Sequence, residues 1–232
     1  MAIYCISDLH LSLSGNKSME VFGPAWKNYV ERIKTNWNNI VKAEDTVVIA
    51  GDISWANTLK EAYEDFNYIN NLNGNKLILK GNHDFYYETK TKLDKFFKEN
   101  NFDTIQVLYN NSYLVEDTII AGSRGWGKID NEVENLDNDK IYAREAIRLE
   151  LSISEGIKKY GKDKKIIVAM HFPPFNKVFK EVLKKYEDNI LVCVYGHLHG
   201  VGHLSIREGI IDGIDYKMVS VDYTDCKPIR II

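Results

Sequence analysis

Cysteine is scarce in this chain of 232 residues. There are three, Cys5, Cys193 and Cys226, an odd number with no Cys-x-x-Cys spacing. That excludes a disulfide-stapled scaffold and a closed thiolate zinc site, and predicts free thiols. Charge of one sign is also missing: 30 Lys and Arg oppose 33 Asp and Glu, a net charge of −3. No basic stripe points to nucleic acid or an anionic membrane. No apolar run is long enough to span a bilayer. The apolar N-terminus is cut by Ser7, Asp8 and His10, unlike a signal peptide, so the expected location is cytoplasmic. There is no low-complexity tract, internal repeat or linker-like stretch, and 44% of residues are hydrophobic. The expectation is one globular domain over residues 1–232, with a core that needs no staples.

What the chain does have is a recurring short apolar run. Ala2–Ile6, Thr46–Ala50, Lys76–Leu79, Lys165–Met170 and Ile190–Tyr195 are rich in Ile, Val and Leu, as buried parallel strands are. Between them the apolar period lengthens towards 3.6. Trp26, Val30, Ile33, Trp37, Ile40 and Val41 form one helical face, with Pro24 at its start; Leu59 to Leu72 form a second. Leu93, Phe96 and Phe97 mark a third helix, Ala146 to Ile157 a fourth and Val178 to Tyr186 a fifth. From Ile105 to Ala121, short apolar runs flank Asn110-Asn111 and Glu116-Asp117 and predict hairpin-linked strands. The tail from Leu204 to Ile232 reads as β-rich, with turns at Glu208-Gly209 and Asp212-Gly213. An α/β fold follows.

Each buried run ends in residues that bind metals. Ser7-Asp8-Leu9-His10 follows the first, Gly51-Asp52 the second and Lys80-Gly81-Asn82-His83-Asp84 the third. His171 follows the fourth and Gly196-His197-Leu198-His199 the fifth. Ligands in open α/β sheets bind beyond the carboxyl ends of strands, so these loops converge on one crevice. Five of the six histidines lie in these groups. The glycines before Asp52, Asn82 and His197 permit tight turns beside a crowded site. Asp8, His10, Asp52, Asn82, His171, His197 and His199 are seven oxygen and nitrogen donors, suited to Mn, Fe or Zn with open positions. Seven exceed one tetrahedral ion. They suit two ions roughly 3.5–4 Å apart sharing a carboxylate, for in-line attack of a metal-bound hydroxide at phosphorus.

In these blocks the sequence resembles the calcineurin-like metallophosphoesterase superfamily. Its signature runs D-x-H, G-D, G-N-H-D/E, a lone H and G-H-x-H, all here in order. The chain is most similar in type to small bacterial predicted phosphohydrolases. The resemblance implies a four-layer α-β-β-α sandwich of two mixed sheets flanked by helices, the hairpin section and the tail joining the second sheet. It implies that Asp8, His10 and His199 hold one ion, that Asn82, His171 and His197 hold the other, and that Asp52 bridges. His83 would face the leaving-group oxygen as a general acid, with Asp84 orienting it and raising its proton affinity.

Departures narrow the expectation. Protein phosphatases of this superfamily carry arginine just before G-N-H; here it is Lys80, which lacks the bidentate fork. Purple acid phosphatases place a tyrosine ligand where this chain has Trp55. The expected substrate is a small phosphorylated molecule, nucleotide-type included, carrying a phosphomonoester or phosphodiester. A nuclease of the same superfamily and a non-catalytic scaffold on this fold are the alternatives. Arg124 reads either as a substrate-phosphate contact or as a loop arginine. Phe85, Tyr86 and Tyr87 read as base-stacking or as packing under the loop. His203 reads as no ligand, and the loop from Leu11 to Gly23 as part of the rim.

Overall fold

The computed structural model describes residues 1–15, 17–127 and 136–232. Asn16, in the Leu11–Gly23 loop, lies outside the described residues. Eleven strands form two sheets among those described. The first has the order β11 (Ile229–Arg230), β1 (Ile3–Ile6), β2 (Thr46–Ile49), β3 (Asn75–Ile78), β4 (Ile105–Val107). The second runs β5 (Tyr113–Val115), β6 (Thr118–Ser123), β7 (Lys165–Met170), β8 (Ile190–Tyr195), β10 (Ile214–Met218), β9 (Gly209–Ile211). Each is parallel in its centre, with antiparallel strands at its edges: β11 in the first sheet, β5 and β9 in the second. Helices α1 (Tyr29–Ile40), α2 (Tyr63–Asn70) and α3 (Lys90–Glu99) share a core with the first sheet; α4 (Leu136–Tyr160) and α5 (Lys177–Lys184) share one with the second.

Strand periodicity builds four layers from these parts. Alternate side chains leave a strand on opposite faces. In β1, Tyr4 and Ile6 enter the core with Ile33, Trp37 and Phe66, whereas Ile3 and Cys5 face the other way. In β7, Ile166 and Val168 meet Leu149 and Ile153 of α4, whereas Ile167 and Ala169 do not. The remaining faces meet in a third core between the sheets, where Ile3, Cys5, Val48 and Leu77 pack with Ile120, Ile167 and Val194. The α-β-β-α sandwich implied by the resemblance is therefore observed. All three thiols are buried and unpaired. Among the described residues, no helix is long and apolar enough to cross a membrane.

Several readings need correction. Asn110-Asn111 is not a hairpin turn. Ile105 and Val107 pair β4 in parallel with β3 and pack into the first helical core, while β5 joins the second sheet. Asn110, at φ 54°, carries the chain from one sheet to the other. The Glu116-Asp117 turn does close a hairpin, with Val115 opposite Thr118. In the tail, Asp212 and Gly213 (φ 51° and 86°) close the β9–β10 hairpin as a type I′ turn requires, but β11 returns to the first sheet beside β1. Glu208-Gly209 only leads into β9. Finally, the first helix starts at Tyr29: Pro24–Trp26 form a separate 3-10 turn, and Asn28 at φ 51° breaks the path between them. The second is shorter than its pattern, Tyr63–Asn70.

Candidate metal centre

Register decides where the loops leave. Ile6, Ile49 and Ile78 sit side by side across β1, β2 and β3, and Ala169 pairs with Val194 across β7 and β8. The chain therefore exits every ligand-bearing strand at one edge of the sandwich. There, Ser7 N–H donates to Val219 O at 2.8 Å and Val221 N–H to Ser7 O at 3.1 Å, which joins the two sheets at the site.

The loops then turn abruptly. Asp8, His10, Asp52 and His197 all have left-handed backbones, with φ of 61°, 44°, 51° and 74°. Such strain in non-glycine residues costs on the order of 1–3 kcal/mol each and gathers at functional sites. Two glycines allow the close approach. A Cβ on Gly81 would sit 2.0 Å from Asp52 Oδ1, and one on Gly196 would sit 2.3 Å from Asp8 Oδ2.

Two groups of three result: Asp8, His10 and His199, and Asp52, His171 and His197. Within each, one ligand atom per residue lies within 4.8 Å of the others. Asn82 joins the second group, its Oδ1 2.7 Å from His171 Nε2. Asp52 Oδ2 stands between the groups, 3.7 Å from His10 Nε2 and 3.4 Å from His171 Nε2. All seven predicted donors are therefore brought together.

The surrounding polar contacts aim them. Asp8 Oδ2 accepts from Ser7, from Ser220 Oγ at 2.6 Å and from His197 N–H at 3.0 Å, which leaves Oδ1 towards His199 Nε2 at 3.2 Å. Asp52 Oδ1 accepts from His83 N–H at 2.8 Å. His171 Nδ1 lies 3.1 Å from the Ala50 carbonyl and His199 Nδ1 lies 2.8 Å from Asp222 Oδ1. Both contacts assign the proton to Nδ1 and turn a lone pair at Nε2 into the site.

The donor set fits a cation. With its proton on Nδ1, His171 Nε2 faces two oxygens, from Asn82 and Asp52, with no hydrogen between them. His10 Nε2 and His199 Nε2 face each other at 3.3 Å, and His10 Nδ1 is buried without a partner among the described residues. Facing lone pairs are relieved by a metal ion or a proton. The titration tendencies report the same pull. Burial lowers both His171 and His199, yet Asp52 and Asp8 outweigh it at His171 and raise it to about 9, and Asp8 and Asp222 outweigh it at His199 and raise it to about 10. Burial would raise Asp52, but His171 and His10 bring it down to about 2. At His10 and His197 burial wins, at about 4 and about 3.

The role expected of Asp84 is not what the structure shows. Asp84 is fully buried and accepts four backbone N–H groups, from Asp52, Ile53, Ser54 and Gly81, plus the Tyr86 hydroxyl. No hydrogen bond joins it to His83, whose Nδ1 has no partner among the described residues. Burial lowers the His83 pKa, the reverse of the raised proton affinity expected from Asp84. Asp84 instead clamps the 51–54 loop to Gly81. His83 stands beside Trp55, ring centres 4.4 Å apart, and Trp55 stacks on His10 at 4.9 Å.

The remaining candidates separate. Tyr86 and Tyr87 are buried packing, whereas Phe85 is exposed and meets His83 edge-on. His203 is outside both triads; its Nε2 lies 3.2 Å from Asp222 Oδ2. Arg124 lines a cavity beside the site, over the Trp126 ring and 3.7 Å from Glu145. Lys80 Nζ donates to Tyr87 O at 2.9 Å in the same cavity. Sequence reasoning missed Asp222, Ser220 and Trp26, whose ring meets His199 at 5.4 Å. Asp222 follows Met218-Val219-Ser220-Val221 just past β10, so the strand-end rule that found the others applied to it as well.

A family model described as calcineurin-like phosphoesterase matches residues 1–201. The chain belongs to that family. No curated protein is detectably similar to it. Among solved structures, a protein of unknown function from Aquifex aeolicus, AQ665, is 22% identical with a TM-score of 0.52, covering 99% of this chain and 95% of its own. The phosphopantetheinyl hydrolase of Mycobacterium tuberculosis is 14% identical, TM-score 0.55, over 95% and 89%. TT1561 of Thermus thermophilus is 12% identical, TM-score 0.59, over 98% and 96%. At these identities the likeness is one of fold.

Proposed function

We propose that this family member is a dinuclear metal-dependent phosphoesterase, hydrolysing phosphomonoester or phosphodiester bonds of a small, nucleotide-type substrate. One observation carries the reading: Asp52 Oδ2, the carboxylate of the second triad, also faces His10 of the first at 3.7 Å, and each triad offers a carboxylate and two imidazoles. In this reading Asp8, His10 and His199 hold one ion, Asn82, His171 and His197 the other, and Asp52 both. Mn, Fe and Zn suit the donors. Bound there, two such ions would supply Lewis-acid polarisation of the phosphoryl oxygens and an activated water for in-line displacement.

The chain's own residues do the rest. Ser7, Ser220 and the His197 amide fix one oxygen of Asp8, and Asp222 and the Ala50 carbonyl fix the tautomers of His199 and His171. Trp55 and Trp26 pack against the His10 ring and exclude water from it. His83 protonates the leaving oxygen. The hydrogen bond its backbone N–H donates to Asp52 Oδ1 sets its position relative to that carboxylate. Three unpaired thiols suit a cytoplasmic location.

The test is a panel of nitrophenyl monoesters and diesters, nucleotides and cyclic nucleotides on Mn-, Fe- and Zn-loaded protein, with elemental analysis of each sample. Two ions per chain and turnover of at least one ester class are expected. A ceiling of one ion in metal excess would remove the dinuclear centre. Fully loaded protein that turns over none of the panel would remove the enzyme and leave a scaffold.

A further inference from the structure

Beside the metal centre, at the carboxyl ends of β3, β4 and β6, lies a cavity of about 230 Å³. Lys80, Tyr87, Arg124, Arg144, Glu145 and Arg148 line it, and none of the seven metal-site donors does. With Glu88 also at its edge, its described lining carries two more positive than negative charges. Glu145 is buried at its centre. One carboxylate oxygen there lies 2.6 Å from Arg148 Nη1, 3.7 Å from Arg124 Nη2 and 3.7 Å from Arg144 Nε. A single oxygen cannot satisfy three guanidinium forks, each of which carries five N–H donors.

Aromatic faces hold the cations in place. Lys80 sits over Tyr87, Arg124 over Trp126 and Arg148 over Tyr109, at 5.2, 4.9 and 5.2 Å. Two buried donors at this cavity, Arg124 Nε and the hydroxyl of Tyr87, have no acceptor among the described residues. Tyr87 is only 5% exposed. Buried donors without acceptors are costly. Grouping them with excess positive charge is the chemistry of an anion site, and forks of this kind match phosphate oxygens.

The cavity adjoins the metal centre through the backbone on two sides. Lys80 immediately precedes Gly81-Asn82, and the Arg124 carbonyl accepts the amides of His171 and Phe172 at 3.2 and 2.9 Å. Two of its cations, Lys80 and Arg124, thus belong to the segments that carry or hold metal-site residues. We propose that this cavity binds a second phosphate group of the substrate, so that the preferred substrates carry a phosphate besides the one being hydrolysed. The substrate class rests on the phosphoesterase reading; the anion site does not.

Two measurements separate them. The first is calorimetric titration of chelator-treated protein with inorganic phosphate and pyrophosphate, for wild type, Arg144→Gln and Arg148→Gln. Arg144 is about half exposed, with 53% of its side chain accessible, so its variant keeps the fold even if Arg148→Gln does not. Each substitution is expected to weaken binding about 10–100-fold, as loss of a charge-assisted hydrogen bond does. No binding, or equal binding by wild type and Arg144→Gln, overturns the anion site. The second is turnover by metal-loaded protein of alkane α,ω-bisphosphates of graded length against alkyl monophosphates. At one length the bisphosphate is expected to have the lower KM, and Arg144→Gln to erase that ratio. Equal KM for both series at every length overturns the substrate class. If no ester is turned over at all, the phosphoesterase reading fails, and the calorimetry still decides the anion site.

Discussion

His199 Nδ1 lies 2.8 Å from Asp222 Oδ1, and this contact decides which ring nitrogen faces Asp8. The other oxygen of Asp222 approaches His203 Nε2 at 3.2 Å and the Gly200 amide at 3.3 Å, so one carboxylate organises the chain just beyond the G-H-x-H block. Asp222→Ala frees the His199 ring to rotate and to change tautomer. Such outer contacts are typically worth about 10–100-fold in metal affinity. The expected result is a loss of that size for the ion at Asp8, His10 and His199, with the other ion kept. Competition against a chelator of known affinity measures it, and unchanged affinity for both ions would refute the orienting role.

Asp52 carries a different prediction. Its Oδ1 is occupied by the His83 amide, and an asparagine oxygen there keeps that bond. Asp52→Asn therefore removes chiefly the charge at Oδ2, the atom between the triads. Both ions should bind more weakly, and the loss should exceed that of Asn82→Ala, which touches one. Elemental analysis after dialysis compares the two. Full metal occupancy in Asp52→Asn would show that Asp52 does not bridge.

Asp84 should behave as a structural clamp. In Asp84→Asn, one carboxylate oxygen becomes an amide nitrogen pointed at N–H donors. Whichever side it takes, at least two bonds are lost: those from Asp52 N–H and Gly81 N–H on Oδ2, or those from Ile53, Ser54 and Tyr86 on Oδ1. Leaving buried donors unpaired predicts a cost of about 2–4 kcal/mol. Urea unfolding in the presence of chelator reads it without the metal. Unchanged stability with lost turnover would return Asp84 to the catalytic role expected from sequence.

The metal donors are legible in the sequence because of how parallel strands end. Thr46–Ala50 and Lys165–Met170 are apolar to their last residue, so Asp52 and His171 follow as abrupt breaks. Asp222 escapes notice because Ile214, Tyr216 and Met218 alternate with Asp215 and Lys217, a pattern typical of half-exposed antiparallel strands. In the fold β10 is parallel to β8 and its end reaches the same edge. The Ile105–Ala121 segment shows another limit. Period-2 alternation states that a strand has a buried face, not which sheet it joins, and β4 and β5 join different ones. The left-handed backbones of Asp8, His10, Asp52 and His197 fall on residue types that tolerate them, but Asp and His at a strand end also fit an ordinary loop, so the turn itself cannot be read from the sequence.

Lys76 gives a prediction remote from the site. It is fully buried, and burial pushes its pKa down to about 7. Opposing that push, its Nζ donates to the carbonyls of Leu72, Gly74 and Asn70 at 2.6, 2.8 and 3.3 Å, at and just beyond the end of α2. Three acceptors match the three donors of an ammonium. Lys76→Met fills the space but leaves those carbonyls unpaired, which predicts a loss of about 2–3 kcal/mol. The urea midpoint should fall with the slope unchanged. A variant as stable as wild type would mean that water replaces the ammonium without cost.

His83 separates acid catalysis from metal binding. Its ring lies between Trp55 and the exposed Phe85, its Nδ1 has no partner among the described residues, and it belongs to neither triad. A general acid matters only when the leaving oxygen is a poor leaving group. For an alkyl phosphate ester, His83→Ala should lose about 10²–10⁴-fold in kcat. For a nitrophenyl ester, whose phenolate departs without a proton, the loss should be far smaller. Metal content should match wild type, because the Asp52 contact is made by the His83 backbone amide and survives the substitution. Both substrates and a metal assay are therefore needed on the one variant. Equal losses on the two esters with full metal would assign His83 to phosphate binding. Loss of metal would make it a ligand, and the sevenfold donor set would then be incomplete.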